Sequence, residues 1–186
     1  MKVMTHFHLA KLSLKNIKEK YPEKFSLKMF YLGTIMADCC WLPYTNPHFH
    51  KKSRNYVEKK LDSLLKKTKF SLYDSLQFGI IIHYICDFCC HVHSTGGIGN
   101  AVDHVMYERR IQKYLLSNIS KISDKIKIKA CKNTQDIKDM ITRQVIKYKN
   151  GSQSFMWDID NCIEICTNVC DSVFKSFNVK MQSIPV

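Results

Sequence analysis

The chain lacks the long apolar runs that membrane helices need. No stretch of 18 or more residues is apolar and free of charge, so we expect no membrane-spanning segment. The first residues, Met1–His6, also lack the apolar region and the small-residue cleavage site of a signal peptide. These two absences predict a protein that stays in the cytoplasm.

A pattern typical of disulfide frameworks is also missing. The nine cysteines are an odd number, and four of them form two pairs of sequence neighbours, Cys39-Cys40 and Cys89-Cys90. Three others recur at helical spacing near the C-terminus: Cys162, Cys166 and Cys170. This spacing predicts small buried side chains on the core face of a helix rather than cross-links.

Acidic residues are scarce. There are 16 of them against 29 lysines and arginines, which gives a net charge of +13. A basic surface favours anionic partners, such as phospholipid, an anionic membrane face or nucleic acid, although a solvated lysine-rich surface without a specific partner fits equally well. No arginine-rich stripe with interleaved aromatics is present, so the sequence gives little support for dedicated nucleic-acid binding.

Strand-like alternation is almost absent, and helical periodicity dominates. We therefore predict an all-α fold, a single-domain bundle of many helices over residues 1–186, with a loop over 38–50. The helix that Ser71 and Asp74 can cap is apolar nearly all round, so we expect it at the centre and expect it to run toward His93. The other helices are expected over residues 5–20, 27–37, 52–67, 101–117, 119–130, 136–149 and 158–177.

Histidine is missing from the last 82 residues, because all eight histidines lie between residues 6 and 104. Two of them precede a carboxylate by four residues, in the pairs His83/Asp87 and His104/Glu108. Residues i and i+4 lie on one face of a helix, and imidazole nitrogens and carboxylate oxygens are zinc ligands. With His93 between them, the two pairs predict a site for more than one metal ion.

Each of these residues also has a plainer interpretation. A single histidine on an apolar helix is usually a hydrogen-bonded core residue, and Glu108 can pair with the adjacent Arg109 or Arg110 at the surface. Asp87 is harder to explain in this way. It lies in the most apolar helix, where an unpaired buried carboxylate is costly and needs a metal ion or a basic partner.

Five ordered motifs resemble those of the zinc-dependent phospholipase C family. In this chain they read Thr5-His6, Gly33-Thr-Ile-Met-Ala-Asp38, His48-Phe49, His83-Tyr-Ile-Cys-Asp87 followed by His93, and His104-Val-Met-Tyr-Glu108. The resemblance covers residues 5–110 and leaves the helical part from about 119 to 186 unmatched. It is strongest to short clostridial-type members without a secretion signal, which implies a bacterial protein. The fungal single-strand nucleases have a similar zinc arrangement.

The resemblance implies a helical bundle with two or three Zn²⁺ ions in a cleft. It assigns one ion to Asp38, His48, His83 and Asp87, and a second to His93, His104 and Glu108. It assigns a third ion to Asp87 and His6, which in secreted members is also bound by the N-terminal amine and carbonyl. Secreted members begin with a processed tryptophan, whereas this chain begins with Met1. Three histidines match no motif and are expected in supporting or structural roles: His8, His50 and His91.

By the same resemblance, we expect a zinc-dependent phosphodiester hydrolase in which zinc-bound hydroxide attacks a phospholipid, and Asp38 orients or deprotonates the attacking water. One alternative is a single-strand nuclease or phosphatase-type activity at the same site. Trp41, Tyr44 and Phe49 are then candidates for stacking against bases. The other alternative is a non-catalytic binding domain that zinc stabilises.

Overall fold

A computed structural model describes residues 1–39, 45–94, 101–122, 128–129, 131 and 133–182. Within these ranges the protein is built from helices and contains no strand, which confirms the predicted all-α fold. The helices are α1 (Val3–Lys15), α2 (Leu27–Cys39), α3 (His50–Leu65), α4 (Leu72–Phe88), α5 (His91–Ser94), α6 (Ala101–Asn118), α7 (Thr134–Lys149) and α8 (Phe155–Gln182). None of them is long and apolar enough to cross a bilayer.

Two helix predictions differ from the structure. Helix α1 ends at Lys15 rather than at 20, because the Asn16 side chain bonds back to the carbonyl of Leu12 at 2.8 Å and closes the last turn. The helix expected over 119–130 is wrong for its described residues, since 119–122 form a turn and bend and 128–129 are not helical. There the backbone N–H of Lys129 donates to the side chain of Asn168 on α8.

Helices α2 and α4 pack side by side in the same direction and in a constant register. The backbone N–H of Ser26 bonds Ser75 Oγ at 3.0 Å, and the ring of His83 meets the carbonyl oxygen of Thr34 at 2.8 Å. Each pair is 49 residues apart. The helix axes come close because Gly33 and Gly79 face each other, and a Cβ on either one would overlap the backbone of the other helix. This register brings the carboxyl ends of α2 and α4 together.

Helix α4 forms the centre of the bundle, as its apolar sequence predicts. Thirteen of its 17 residues are buried. Ser71 and Asp74 form the predicted capping box at its start. The helix ends at Phe88 instead of continuing to His93, and a separate short helix, α5, carries His93. This break lets the chain turn while Asp87 and His93 still face the same region.

Helix α8 lies against α1, α4, α6 and α7 and closes one side of the bundle. Its cysteines are fully buried core side chains, as their helical spacing predicted: Cys162, Cys166 and Cys170. The Sγ atom of Cys166 lies 3.3 Å from that of Cys86 on α4, and both thiols are free. The segment 40–44, with Trp41 and Tyr44, and the glycine-rich connector at 96–99 lie outside the described residues.

Candidate metal centre

All eight side chains predicted as metal ligands lie close together, although six separate segments of the chain supply them. Three groups bring one possible ligand atom per residue to within 4.8 Å of one another. The groups are His6 with His83 and Asp87, Asp38 with His48 and His83, and His93 with His104 and Glu108. The structure therefore shows the convergence, while the role of each residue as a ligand stays a prediction.

Asp87 joins these groups, because its two carboxylate oxygens face different neighbours. Oδ2 lies 2.9 Å from His48 Nδ1 and 3.2 Å from His83 Nε2. Oδ1 lies 3.3 Å from His6 Nε2 and 3.4 Å from His93 Nε2. The side chain of Asp87 has no solvent exposure. A buried carboxylate with four imidazoles around it is a geometry suited to a bridging ligand.

The first part of the site, which we name the inner cluster, comprises Asp38, His48 and His83. Asp38 Oδ1 lies 3.5 Å from His48 Nδ1 and 3.4 Å from His83 Nε2. The Thr34 carbonyl accepts a 2.8 Å hydrogen bond from His83 Nδ1, which fixes the ring and leaves Nε2 facing the carboxylates. Such a partner on the far nitrogen is typical of metal-binding histidines.

The second part, which we name the outer cluster, comprises His93, His104 and Glu108. Glu108 Oε1 lies 3.0 Å from His104 Nε2, one helical turn away on α6, and 3.6 Å from His93 Nε2. The side chains of His104 and Glu108 are 26% and 16% exposed, so this cluster opens toward solvent.

The N-terminal amine of Met1 lies between the two clusters. It is 2.9 Å from Asp87 Oδ1, 2.9 Å from His93 Nε2 and 3.3 Å from Glu108 Oε1. Burial alone would lower the pKa of this amine, but the nearby carboxylates, Asp87 foremost, raise it to about 12. The amine thus lies beside Asp87, which the family resemblance assigned, with His6, to a third ion.

Protonated basic groups partly balance the negative charge of the carboxylates at the site. Burial opposes a charge on His83, yet Asp87 and Asp38 raise its pKa to about 10. Burial also opposes a charge on Asp87, but the surrounding histidines and the terminal amine hold its pKa well below the usual range. The pKa of His93 shifts in the opposite direction from that of His83, because burial lowers it to about 4. The site as a whole attracts positive charge.

The ends of two helices add to this attraction. Asp38 lies in the last turn of α2 and Asp87 in the last turn of α4, and neither turn carries a basic residue. The carboxyl end of a helix carries partial negative charge, so an aspartate there is normally unfavourable. Two such ends meet at the inner cluster, which makes bound cations the natural compensation.

Several buried polar atoms at the site have no hydrogen-bond partner among the described residues. They include both ring nitrogens of His6 and Oδ2 of Asp87. His6 Nε2 and Asp87 Oδ2 lie within ion-pair distance of their neighbours, but these contacts do not have the geometry of a hydrogen bond. The His6 ring instead stacks on that of His83, with centroids 3.7 Å apart. Buried polar groups are usually paired, so these orphaned atoms fit the donor set of one or more zinc ions.

Asp158 is a supporting residue that the sequence reasoning missed. From the first turn of α8, its Oδ2 accepts a 2.8 Å hydrogen bond from Tyr107 Oη and a 3.1 Å bond from the His91 backbone N–H. Its Oδ1 accepts a 2.6 Å bond from Tyr148 Oη. Burial nevertheless raises the pKa of Asp158. Because Tyr107 precedes Glu108 and His91 begins the helix of His93, Asp158 anchors both elements of the outer cluster.

The three unmatched histidines lie in aromatic contacts. The ring of His8 meets Phe7 edge-on, that of His50 meets Phe88, and that of His91 meets Tyr107. None of them belongs to the three ligand groups found in the described part of the chain. These contacts agree with the supporting roles predicted for them.

A family model described as zinc dependent phospholipase C matches residues 5–154. The match extends beyond residue 110, where the recognisable motifs end, and includes α7. No curated protein and no solved structure matches the chain.

Proposed function

Because the chain belongs to the zinc-dependent phospholipase C family, we propose that it hydrolyses a phospholipid phosphodiester to diacylglycerol and a phosphorylated head group. The observation that carries the proposal is Asp87, a fully buried carboxylate whose oxygens face histidines of both clusters. Such a group is costly to bury without cations, and the cations that these ligands favour are the ones that hydrolases use.

The residues divide naturally among two or three zinc ions. The inner cluster with Asp87 Oδ2 would hold one ion, and the outer cluster would hold a second. His6, Asp87 Oδ1 and the terminal amine would hold a third. When bound, zinc supplies a Lewis acid that lowers the pKa of water to about 7 and neutralises charge on the phosphate.

Asp38 is the best candidate to act on the attacking water. Its side chain is 22% exposed, the most of the three carboxylates at the site, while Asp87 has no exposure. Burial would raise the pKa of Asp38, but the His83 imidazolium lowers it overall, so the group is a carboxylate at neutral pH. It can accept a hydrogen bond from water and orient it toward a phosphorus atom bound beside the inner cluster.

A single-strand nuclease on the same scaffold is the second candidate. The observation in its favour is Phe49, a half-buried ring 6.0 Å from that of His93 and hence at the edge of the outer cluster. Aromatic rings in such positions stack on unpaired bases. A phospholipid acyl chain can pack on the same ring, so Phe49 alone does not separate the two substrates.

Parallel assays of the zinc-loaded protein test the proposal. We expect turnover of dihexanoyl phosphatidylcholine and none of single-stranded DNA; the reverse result would favour the nuclease. Zinc-loaded protein that cleaves neither diester would favour a binding domain. Replacing Asp38 with Asn, with zinc measured in the same sample, tests its role: unchanged turnover would show that Asp38 does not act on the water.

A further inference from the structure

A cleft of about 460 Å³ lies directly beside the outer cluster. It is lined by His93 and Ser94 of α5 and by the half-buried Phe49. Three lysines also line it, Lys51, Lys52 and Lys149, together with His50 and Gln153. A cavity of this size is in the range of ligand sites, and it begins at a predicted zinc ligand.

The three lysines have no acidic partner within the parts of the chain that the structure describes. Other surface cations of the protein do find one, as Lys129 and Lys147 do with Glu164. Lys52 lies instead 5.7 Å above the ring of Phe49, and none of the described residues that line the cleft is a carboxylate. Like charges gathered around a concave surface repel each other unless an anion enters.

The amino end of α3 increases the positive potential. Lys51 and Lys52 lie in the first turn of that helix, which contains no acidic residue. The first turn of a helix has unpaired N–H groups and partial positive charge, so acidic residues are normally preferred there. Here two lysines take that place and add to the helix dipole instead of balancing it.

We infer that this cleft binds a second anionic group of the substrate, a phosphate or carboxylate attached to the head-group side of the scissile phosphodiester. The inference rests on the proposed function for the position of that phosphodiester, at the metal centre. An arm leaving the phosphorus past His93 enters the cleft, where the three lysines surround it. The preferred substrates are therefore phosphodiesters that carry a further negative charge.

The test compares two soluble substrates that differ by one phosphate, dihexanoyl phosphatidylinositol and dihexanoyl phosphatidylinositol 4-phosphate. Both are used as monomers, so no lipid surface is present. We expect kcat/KM of the zinc-loaded protein to be at least tenfold higher for the phosphorylated substrate. The triple variant Lys51→Gln, Lys52→Gln, Lys149→Gln should lose this preference, with a ratio near one.

A matched triple variant controls for net charge. Lys59, Lys66 and Lys69 are exposed, and Lys66 lies at the far end of α3, about 24 Å from the cleft for a helix of 16 residues. Changing these three to Gln should leave the preference intact. Equal rates on both substrates for the unmodified protein, or an equal loss of preference in both triple variants, would overturn the inference.

Two further measurements separate this inference from the proposed function and from membrane contact. If no form of the protein hydrolyses either substrate, the proposed function fails, and calorimetry with inositol 1-phosphate and inositol 1,4-bisphosphate then tests whether the cleft binds a second anionic group. Tighter binding of the bisphosphate only when the three lysines are present supports the inference. Equal binding of the two compounds refutes it. Flotation with phosphatidylserine-containing vesicles tests the other source of anions. A triple variant that loses vesicle binding but keeps its substrate preference would assign these lysines to the membrane instead.

Discussion

The inner and outer clusters hold the same kinds of side chain in different surroundings. In the inner cluster His83 has no exposure, its ring is fixed by the Thr34 carbonyl, and the carboxylates come from two helices in fixed register. In the outer cluster His104 and Glu108 are partly exposed, and both belong to one helix. The histidine at the centre of the inner cluster is therefore part of the core, whereas two of the three side chains of the outer cluster lie on a single helix and reach the solvent.

This difference predicts that ions bound in the two clusters contribute differently to stability and to activity. An ion in the inner cluster should be tightly held and should contribute to the stability of the fold, because His83 and the adjacent Asp87 are fully buried and the packed helices α2 and α4 fix the position of Asp38. An ion in the outer cluster should exchange more readily and should affect activity more than stability.

Replacing Asp87 with Asn should abolish the difference by disabling both clusters. The variant keeps the size of the side chain but removes the charge that faces four histidines. Losing one member of a buried charged network costs about 3–5 kcal/mol of stability. A loss of transition-state stabilisation of the same size would lower turnover by about 150- to 5,000-fold. Zinc content should fall to below one ion per chain, as measured by mass spectrometry of the purified protein. Asp62→Asn, which removes a partly exposed carboxylate paired with Lys138, is the control and should change neither quantity.

Replacing Glu108 with Gln should affect the outer cluster alone. We expect one zinc ion fewer per chain and turnover reduced by about a hundredfold, because the amide oxygen is a weaker ligand than the carboxylate. The melting temperature of the chelator-treated protein should fall less than in the Asp87 variant, since the Glu108 side chain is 16% exposed whereas that of Asp87 is fully buried. A large loss of stability in that protein would show that the outer cluster is as integral to the core as the inner one.

The sequence predicted which side chains come together better than it predicted what holds them there. His83 and Asp87 follow from helical spacing, and Asp38 and His48 from motif resemblance, because metal chemistry restricts residue type and spacing. The facing pair Gly33 and Gly79 could not be predicted in this way, since helix register depends on tertiary packing.

Asp158 was missed for a related reason. Its three hydrogen bonds come from residues 10, 51 and 67 positions away, and only the folded chain brings them together. Helix α8 also carries Asp160, Glu164 and Asp171, so the sequence of this helix did not single out Asp158 as that of α4 singled out Asp87.

Replacing Gly79 with Ala should weaken the inner cluster without touching a ligand. The added methyl group overlaps the carbonyl oxygen of Phe30, so α2 must shift away from α4. Overpacking of this kind costs about 1–3 kcal/mol of unfolding free energy. It should also lower zinc affinity at the inner cluster by about tenfold, because Asp38 moves with α2. Chemical denaturation and zinc competition with a chelator measure the two effects. Gln77→Ala, two residues earlier on the same helix, should leave zinc affinity unchanged.

Replacing Asp158 with Asn should produce the smallest effect and should act on the outer cluster from a distance. The amide cannot accept hydrogen bonds with both atoms, so either Tyr148 or the pair Tyr107 and His91 loses its acceptor. Positioning residues behind metal ligands typically contribute about 10–100-fold to metal affinity, and we expect the lower figure because Asp158 acts through the neighbours of His93 and Glu108. Zinc titration should show weaker binding of one ion only, while the inner ion is retained.

The control is Asp160→Asn on the exposed face of α8, two residues away. If Asp158→Asn and Asp160→Asn bind zinc equally well, the outer cluster does not depend on α8, and its position must be set within α5 and α6 alone.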